Sequence, residues 1–165
     1  MTIAAKDTFN AFEIFEIAEQ IERNGAQFYR RAADVVSESD VRETLLHLAE
    51  MEDEHEKTFA DMRSNLLAPE RQITAFDPLS EIAQYLHDLA SGHIFDLRTD
   101  PEKQLAGDVT TEDILKMAIT AEKDSIVFYL GLKDLVSAEA GKSRVDAIIG
   151  EEMQHLKTIT RMLGK

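Results

Sequence analysis

Glutamate and histidine recur in this chain in two copies of one pattern. In each copy a Glu is followed, 30 residues later, by a Glu-x-x-His element. The six residues are Glu22, Glu52, His55, Glu122, Glu152 and His155. A Glu and a Glu-x-x-His from each half of an all-helical chain form the ligand set of a dinuclear metal site inside a four-helix bundle. Carboxylates and imidazoles suit iron or manganese better than copper or a structural zinc.

The placement of these residues carries more weight than their presence. All six fall on apolar stripes that advance by steps of three and four, the spacing of a helix face that points into a bundle core. The i, i+3 spacing within each Glu-x-x-His element puts both side chains on one face of a helix. Four carboxylates in a dry core would cost several kcal/mol each or take up protons. Two divalent cations would neutralise them, so we predict a dinuclear metal site.

The predicted fold is all-α, an antiparallel four-helix bundle in one domain spanning residues 1–165. Helical hairpins are expected over about 8–67 and 111–163, joined by a long connection over 68–110. Segment 37–40 offers N-cap residues to the second helix, and Thr110 with Asp113 offers a capping pair to the third. An apolar stripe within the connection predicts an extra short helix: Leu79, Ile82, Leu86, Leu89 and His93.

Composition excludes several classes of function. The 165 residues carry a formal net charge of −14 and no basic run, which argues against nucleic acid and against an anionic membrane as partners. Cysteine is absent, so a thiol nucleophile, a zinc ribbon and an iron–sulfur centre are excluded for this chain. No apolar run is long enough for a signal peptide or a membrane span, and we expect a cytoplasmic location.

Two tyrosines repeat with the pattern. Tyr29 and Tyr129 each stand seven residues beyond the first Glu of their copy. A phenol at this position is predicted to hydrogen-bond a ligand carboxylate and orient it. The alternative is a core tyrosine whose hydroxyl finds another partner.

Other polar and aromatic residues near the pattern receive a structural interpretation. We expect solvated helix faces for most of the acidic neighbours, which are Glu16, Glu19, Glu54 and Glu151, with Glu19, one turn before Glu22, as a candidate for an iron entry path. His47 and His87 are expected to be solvated, and His93 to be a satisfied or rim histidine. Phe9, Phe12 and Phe15 extend the first helix at three-residue spacing. They fit either packing beneath the long connection or a subunit interface.

The four helices resemble the rubrerythrin branch of the ferritin-like superfamily. The resemblance rests on the segment from Ala18 to Tyr29, on Glu52-Asp-Glu-His55, on the segment from Ala121 to Tyr129, and on Glu152-Met-Gln-His155. It implies that the six Glu and His residues bind two iron ions, with manganese or zinc as substitutes. Glu52 and Glu152 are the expected bridging pair, because each shares a helix face with a terminal His.

The chain departs from typical rubrerythrins in two respects. The Cys-rich rubredoxin module is absent, so the electrons are expected from an external donor, either another protein or a small reductant. The extra Glu that the family places one turn after the third-helix ligand is replaced by Ser125. The six ligands that remain are as similar to bacterioferritin as to rubrerythrin.

These features predict a di-iron oxidoreductase that reduces hydrogen peroxide or dioxygen, with no catalytic residue beyond the metal ligands, in a homodimer. One alternative is a ferroxidase or iron-storage protein similar to bacterioferritin. The other is a non-catalytic metal-binding bundle.

Overall fold

The described residues form a bundle of four long helices. A computed structural model describes residues 11–66 and 101–164. Within these ranges it contains no strand and five helices: α1 (Ala11–Val35), α2 (Ser39–Ser64), the single-turn α3 (Pro101–Gln104), α4 (Thr111–Leu135) and α5 (Lys142–Leu163). The predicted all-α, ferritin-like bundle is confirmed. The predicted helix over Leu79 to His93 lies outside the described residues, as do Phe9 and His87.

The bundle consists of two helical hairpins. Helices α1 and α2 pack along each other after a short link, and α4 and α5 do the same. The hairpins meet where α1 contacts α4 and α2 contacts α5. Short α3, which the sequence did not predict, packs on α1. Its first residue is Pro101, and proline suits the first position of a helix because the N–H that it lacks would have no intrahelical acceptor there.

The helix ends show which predicted capping residues act. Thr110 and Asp113 form the expected capping box at the start of α4, each side chain binding the other's backbone N–H. The expected cap from segment 37–40 is not made, because the N-cap of α2 is Glu38 and its side chain does not bond the helix. Its carboxylate instead accepts from Thr111 Oγ1 at 3.0 Å, and so joins the starts of α2 and α4.

The turn between α4 and α5 depends on glycine. Gly141 has a φ of +109°, in the left-handed region where a β-carbon is strained. A Cβ built there would also lie 2.9 Å from Cε of Met62. This position therefore permits the close approach of the second hairpin's turn to the end of α2.

Aromatic side chains fill the core beside the candidate site. Phe15, Phe59 and Tyr129 are fully buried, and the rings of Phe59 and Tyr129 are 5.0 Å apart. Phe12 is half-buried and packs against the guanidinium of Arg63.

Nothing among the described helices is apolar over a length that could span a bilayer. The cytoplasmic location stays a prediction.

Candidate metal centre

The six predicted ligands converge in the middle of the bundle. Each of the four long helices contributes to the cluster, and every one of the six side chains is at most 3% exposed. Glu22 comes from α1 and Glu122 from α4, while α2 and α5 each contribute a Glu-x-x-His pair. The heptad seams explain this meeting, since residues on facing stripes share one level of the bundle.

The cluster contains two overlapping groups of four side chains. We call the first the His55 group; it comprises Glu22, Glu52, His55 and Glu152. The second, the His155 group, comprises Glu52, Glu122, Glu152 and His155. Within each group, one nitrogen or oxygen from every residue lies within 4.8 Å of the others. Glu52 and Glu152 belong to both groups, as a pair of bridging carboxylates would.

The atoms that face the centre have no hydrogen-bond partner. These buried atoms are Glu22 Oε2, Glu52 Oε1, His55 Nδ1, Glu122 Oε2, both Glu152 oxygens and His155 Nδ1. His55 Nδ1 approaches Glu152 Oε1 to 2.8 Å, and His155 Nδ1 lies 3.2 Å from Glu52 Oε1, but neither contact has hydrogen-bond geometry. Buried polar atoms are almost always paired in folded proteins. Seven unpaired atoms converging on one centre therefore fit two bound cations.

The two tyrosines cross between the hairpins. Tyr29 of α1 donates to Oε1 of Glu122, and Tyr129 of α4 donates to Oε1 of Glu22. Each hydroxyl thus occupies one oxygen of a terminal carboxylate and leaves the other oxygen of that residue directed at the centre. Both phenols are fully buried, and burial raises their pKa values well above the usual one, with the nearby carboxylates adding to the shift.

Burial and mutual repulsion act on the carboxyl groups. Burial raises the pKa of Glu52 well above its usual value, and the charges of Glu152 and Glu22 raise it further. Burial and the charge of Glu152 likewise raise the pKa of Glu122. Burial alone would also raise the pKa of Glu152. The contacts of Glu152 with Glu122 and both histidines outweigh burial and lower this pKa. Without metal, burial and repulsion thus disfavour the charged forms of Glu52 and Glu122, whereas the charged form of Glu152 is stabilised.

The histidines compensate part of this negative charge. Burial lowers the pKa of His55, but contacts with Glu152 and Glu22 outweigh it and raise the pKa to about 11. For His155, contacts with Glu122 and Glu152 outweigh burial and raise the pKa to about 9. The two rings stack with centroids 5.6 Å apart. A metal ion would replace these protons as the source of positive charge.

The outward nitrogens of the two histidines have different partners. His55 Nε2 lies 2.6 Å from a carboxylate oxygen of Glu151, whereas His155 Nε2 lies 3.4 Å from the sulfur of Met51. Glu151 was predicted to lie on a solvated face; its side chain is 53% exposed, but one of its oxygens also contacts the buried imidazole. The feature of the sequence that could have indicated this contact is the position of Glu151 directly before a Glu-x-x-His element.

The other acidic residue singled out, Glu19, is held by an ion pair. It is buried, and its Oε1 accepts from Arg63 Nε at 3.0 Å. Burial nevertheless raises its pKa, against the opposing charge of Arg63. This ion pair gives Glu19 a structural role, because it joins α1 to α2. Ser125 is 2% exposed, and its hydroxyl has no hydrogen-bond partner.

An open groove lies outside the histidines. Its volume is about 520 Å³, and Met51 and Glu151 line it together with the acidic side chains of Glu50, Asp53 and Glu54. The two residues that contact the outward histidine nitrogens are therefore also accessible from this groove.

Comparison with known proteins places this architecture. No family model matches the sequence, and no curated protein is significantly similar to it. A crystal structure from Thermotoga maritima at 2.30 Å, provisionally described as a ferritin-like diiron-carboxylate protein, matches with a TM-score of 0.75 and 26% sequence identity. The match covers 94% of this chain and 95% of that chain. The fold is ferritin-like.

The same comparison bears on the centre. A ferritin-like neighbour over nearly the whole length and a buried Glu/His cluster together support the ferritin-like di-iron superfamily for this chain. The rubrerythrin-like subtype, the homodimer and the roles of the six residues as metal ligands stay predictions.

Proposed function

We propose that this ferritin-like protein is a di-iron oxidoreductase that reduces hydrogen peroxide, or dioxygen, with electrons from an external donor. The observation that carries the proposal is the pair of overlapping Glu/His groups, with seven unpaired buried atoms directed at one centre. The matching Thermotoga maritima protein, described as a diiron-carboxylate protein, supports iron as the metal. Manganese and zinc are the substitutes that the same donor set could accept.

Two ferrous ions would supply one electron each, which is the number needed to reduce one hydrogen peroxide and two protons to two waters. The chain's own residues would hold and orient them. Glu22 and Glu122 would act as terminal ligands, and Glu52 and Glu152 would bridge. The histidines would bind through Nδ1, the nitrogen that faces the carboxylates in both cases.

The surrounding residues have supporting roles in this proposal. Tyr29 and Tyr129 fix the orientation of the terminal carboxylates, because each donates to one of their oxygens. The buried aromatic rings of Phe59 and Phe128 border Tyr129 and exclude water on that side. A dry, preorganised centre strengthens electrostatic interactions with a bound cation.

The source of the electrons is part of the proposal. The sequence contains no cysteine, the ligand type of a Cys₄ iron relay. We propose a separate reductant protein as the donor and a homodimer as the working assembly. No phosphate-backbone or membrane partner is part of the proposal, in keeping with a net charge of −14.

A ferroxidase of the bacterioferritin type is the second candidate. The buried Ser125 favours it, because the position lacks the additional carboxylate that distinguishes rubrerythrins and the ligand set is reduced to six. The two candidates differ in oxidant and in assembly, and both differences can be measured.

The test is anaerobic loading with ferrous iron, followed by stopped-flow mixing with peroxide and, separately, with oxygen. The proposal expects peroxide to oxidise the centre faster than oxygen does, and a donor to restore the ferrous state over repeated cycles. Glu52→Gln should abolish the fast oxidation by peroxide. Glu43→Gln, at an exposed position on the same helix, should not. Faster oxidation by oxygen, with a 24-subunit shell in size-exclusion chromatography, would establish the ferroxidase instead.

A further inference from the structure

The two histidines of the centre are supported by chemically different residues. Residues 51 and 151 occupy the same place in the two copies, directly before the shared glutamates Glu52 and Glu152. In the second copy the residue is Glu151, and in the first it is Met51. Each reaches across to the histidine of the other copy. The internal repeat is therefore broken at the contacts that orient the imidazoles.

The difference matters because the partner of one ring nitrogen controls the other. A carboxylate at 2.6 Å from Nε2 of His55 accepts a hydrogen bond from a proton carried by that nitrogen, which leaves the lone pair on Nδ1 for a cation. The charge of the acceptor also makes the imidazole a stronger donor to the metal. A thioether at 3.4 Å is only a weak acceptor, so Met51 gives His155 much less of either effect.

The rest of the two groups is matched. Each has one terminal Glu, shares Glu52 and Glu152, and has its terminal Glu bound by a tyrosine of the opposite hairpin. Both histidines are buried to a similar degree, at 3% and 2% exposure. The partners of the imidazoles thus differ in chemistry between the two groups, as does the position one turn after the terminal Glu, which is Gly25 in one copy and Ser125 in the other.

We propose that the two metal positions are inequivalent and that Glu151 is the positioning residue responsible. A divalent cation fills the His55 group first and leaves it last, and the His155 group holds the more exchangeable ion. This inference rests on the proposed dinuclear centre and adds an order of occupancy to it. It assigns to Glu151 and Met51 a role that neither needs for the fold, since both line the open groove.

The experiment starts from the full chain loaded with Co²⁺, a spectroscopically visible stand-in for ferrous iron. A graded chelator competition measures the metal retained per chain against the free Co²⁺ concentration. Crystals equilibrated at the concentration that retains half of the metal then show, by anomalous scattering, which group keeps its ion. The expected result is two release steps separated by at least about tenfold in free Co²⁺, with the His55 group occupied at the plateau between them.

Two variants exchange the supporting residues. Glu151→Met should weaken the tighter step by about 10- to 100-fold and bring the two steps together. Met51→Glu should strengthen the weaker step and bring them together at the tight end. The matched control is Glu50→Met, which removes a charge from the same groove at a residue whose ion pair is with the exposed His47. This control should leave two separate steps.

Several results would overturn the inference. These are a single release step in the unaltered chain, equal occupancy of both groups at half retention, or retention by the His155 group. An effect of Glu151→Met no larger than that of Glu50→Met would do the same. A chain that retains no metal removes the proposed function as well. Stepwise retention without any reaction with peroxide removes only the proposed reaction and leaves the order of occupancy standing.

Discussion

The hydroxyl of Tyr29 donates a hydrogen bond to Oε1 of Glu122, so a side chain of the first hairpin holds a candidate ligand of the second. Tyr129 returns the same contact to Glu22. These bonds cross the interface between the hairpins at the level of the centre. They therefore couple the packing of the two halves to the geometry of the ligands.

Tyr29→Phe and Tyr129→Phe each remove one of the two hydrogen bonds between the hairpins, so the two contacts can be tested separately. In the metal-free protein, each change leaves a buried carboxyl oxygen without its donor, which should lower the free energy of unfolding by about 1–3 kcal/mol. At about 2–4 °C per kcal/mol for a chain of this size, thermal melts resolve the loss. The rings remain, so core packing is little changed.

The two variants also serve as controls for each other. Tyr29→Phe should ease release of the ion in the His155 group, which contains Glu122, and Tyr129→Phe should ease release from the His55 group, which contains Glu22. Chelator competition followed by anomalous scattering distinguishes the two. Identical release patterns for both variants would show that the hydroxyls do not act through individual carboxylates.

Metal content tests the assignment of bridging and terminal ligands. Since Glu52 belongs to both groups, Glu52→Ala should impair binding of both ions. His155→Ala should spare the ion of the His55 group, which remains complete. Elemental analysis after dialysis under limiting free iron measures both, with Glu43→Ala as the exposed control. Full metal content in Glu52→Ala would remove the assignment.

The stability of the metal-free protein should fall as pH rises. The pKa values of Glu52 and Glu122 are raised in the folded state, so their contribution is present below the unfolded pKa near 4.5 and is lost as pH rises through the higher folded values. The raised pKa values of His55 and His155 act in the same direction, with losses expected towards about 11 for His55 and about 9 for His155. The lowered pKa of Glu152 opposes this only in acid, where its contribution is lost.

Bound metal should reverse this trend, because it takes the place of the protons and prefers deprotonated ligands. Thermal melts at pH 5 and pH 8, with and without metal, are the measurement. The gap between the two forms should be larger at pH 8. An equal gap at both pH values would mean that the buried carboxyls do not control stability.

The sequence was sufficient to predict the bundle and the convergence of the six candidate ligands for one physical reason. Charged residues on an apolar heptad seam have few explanations, and two matched copies reduce them further. The individual contacts between helices could not be predicted from the sequence in the same way. Whether Tyr29 bonds Glu22 or Glu122 depends on how α1 is rotated to face α4. The repeat in the sequence does not show that rotation.

Glu151 illustrates the same limit. On its own helix it lies about 100° from the seam residue Glu152, which is the position of a solvated side chain. Its role arises only because α2 presents His55 to that edge of α5. The difference between Met51 and Glu151 was visible in the sequence, but its meaning required the distances to the two imidazoles.

Ser125 offers a direct test of how the ligand number affects reactivity. It is buried on α4 one turn after Glu122, and its hydroxyl has no partner. In the rubrerythrin-like subtype that the sequence predicts, this position carries a carboxylate that serves as an additional ligand. A serine side chain is too short and too weak a donor to replace it, so the present centre should keep six ligands in both oxidation states.

Ser125→Glu should therefore make the oxidised centre retain iron more tightly and react faster with peroxide, because an added carboxylate stabilises the higher charge of ferric iron. The matched variant Ser125→Gln adds the same volume without the charge and should give neither gain. Chelator competition on the oxidised protein and stopped-flow mixing with peroxide measure the two effects, and a crystal structure of Ser125→Glu shows whether the new side chain reaches the centre. Equal behaviour of the Glu and Gln variants would mean that volume, not ligation, controls this position. Unchanged kinetics with the new carboxylate bound would contradict the link between ligand number and rate.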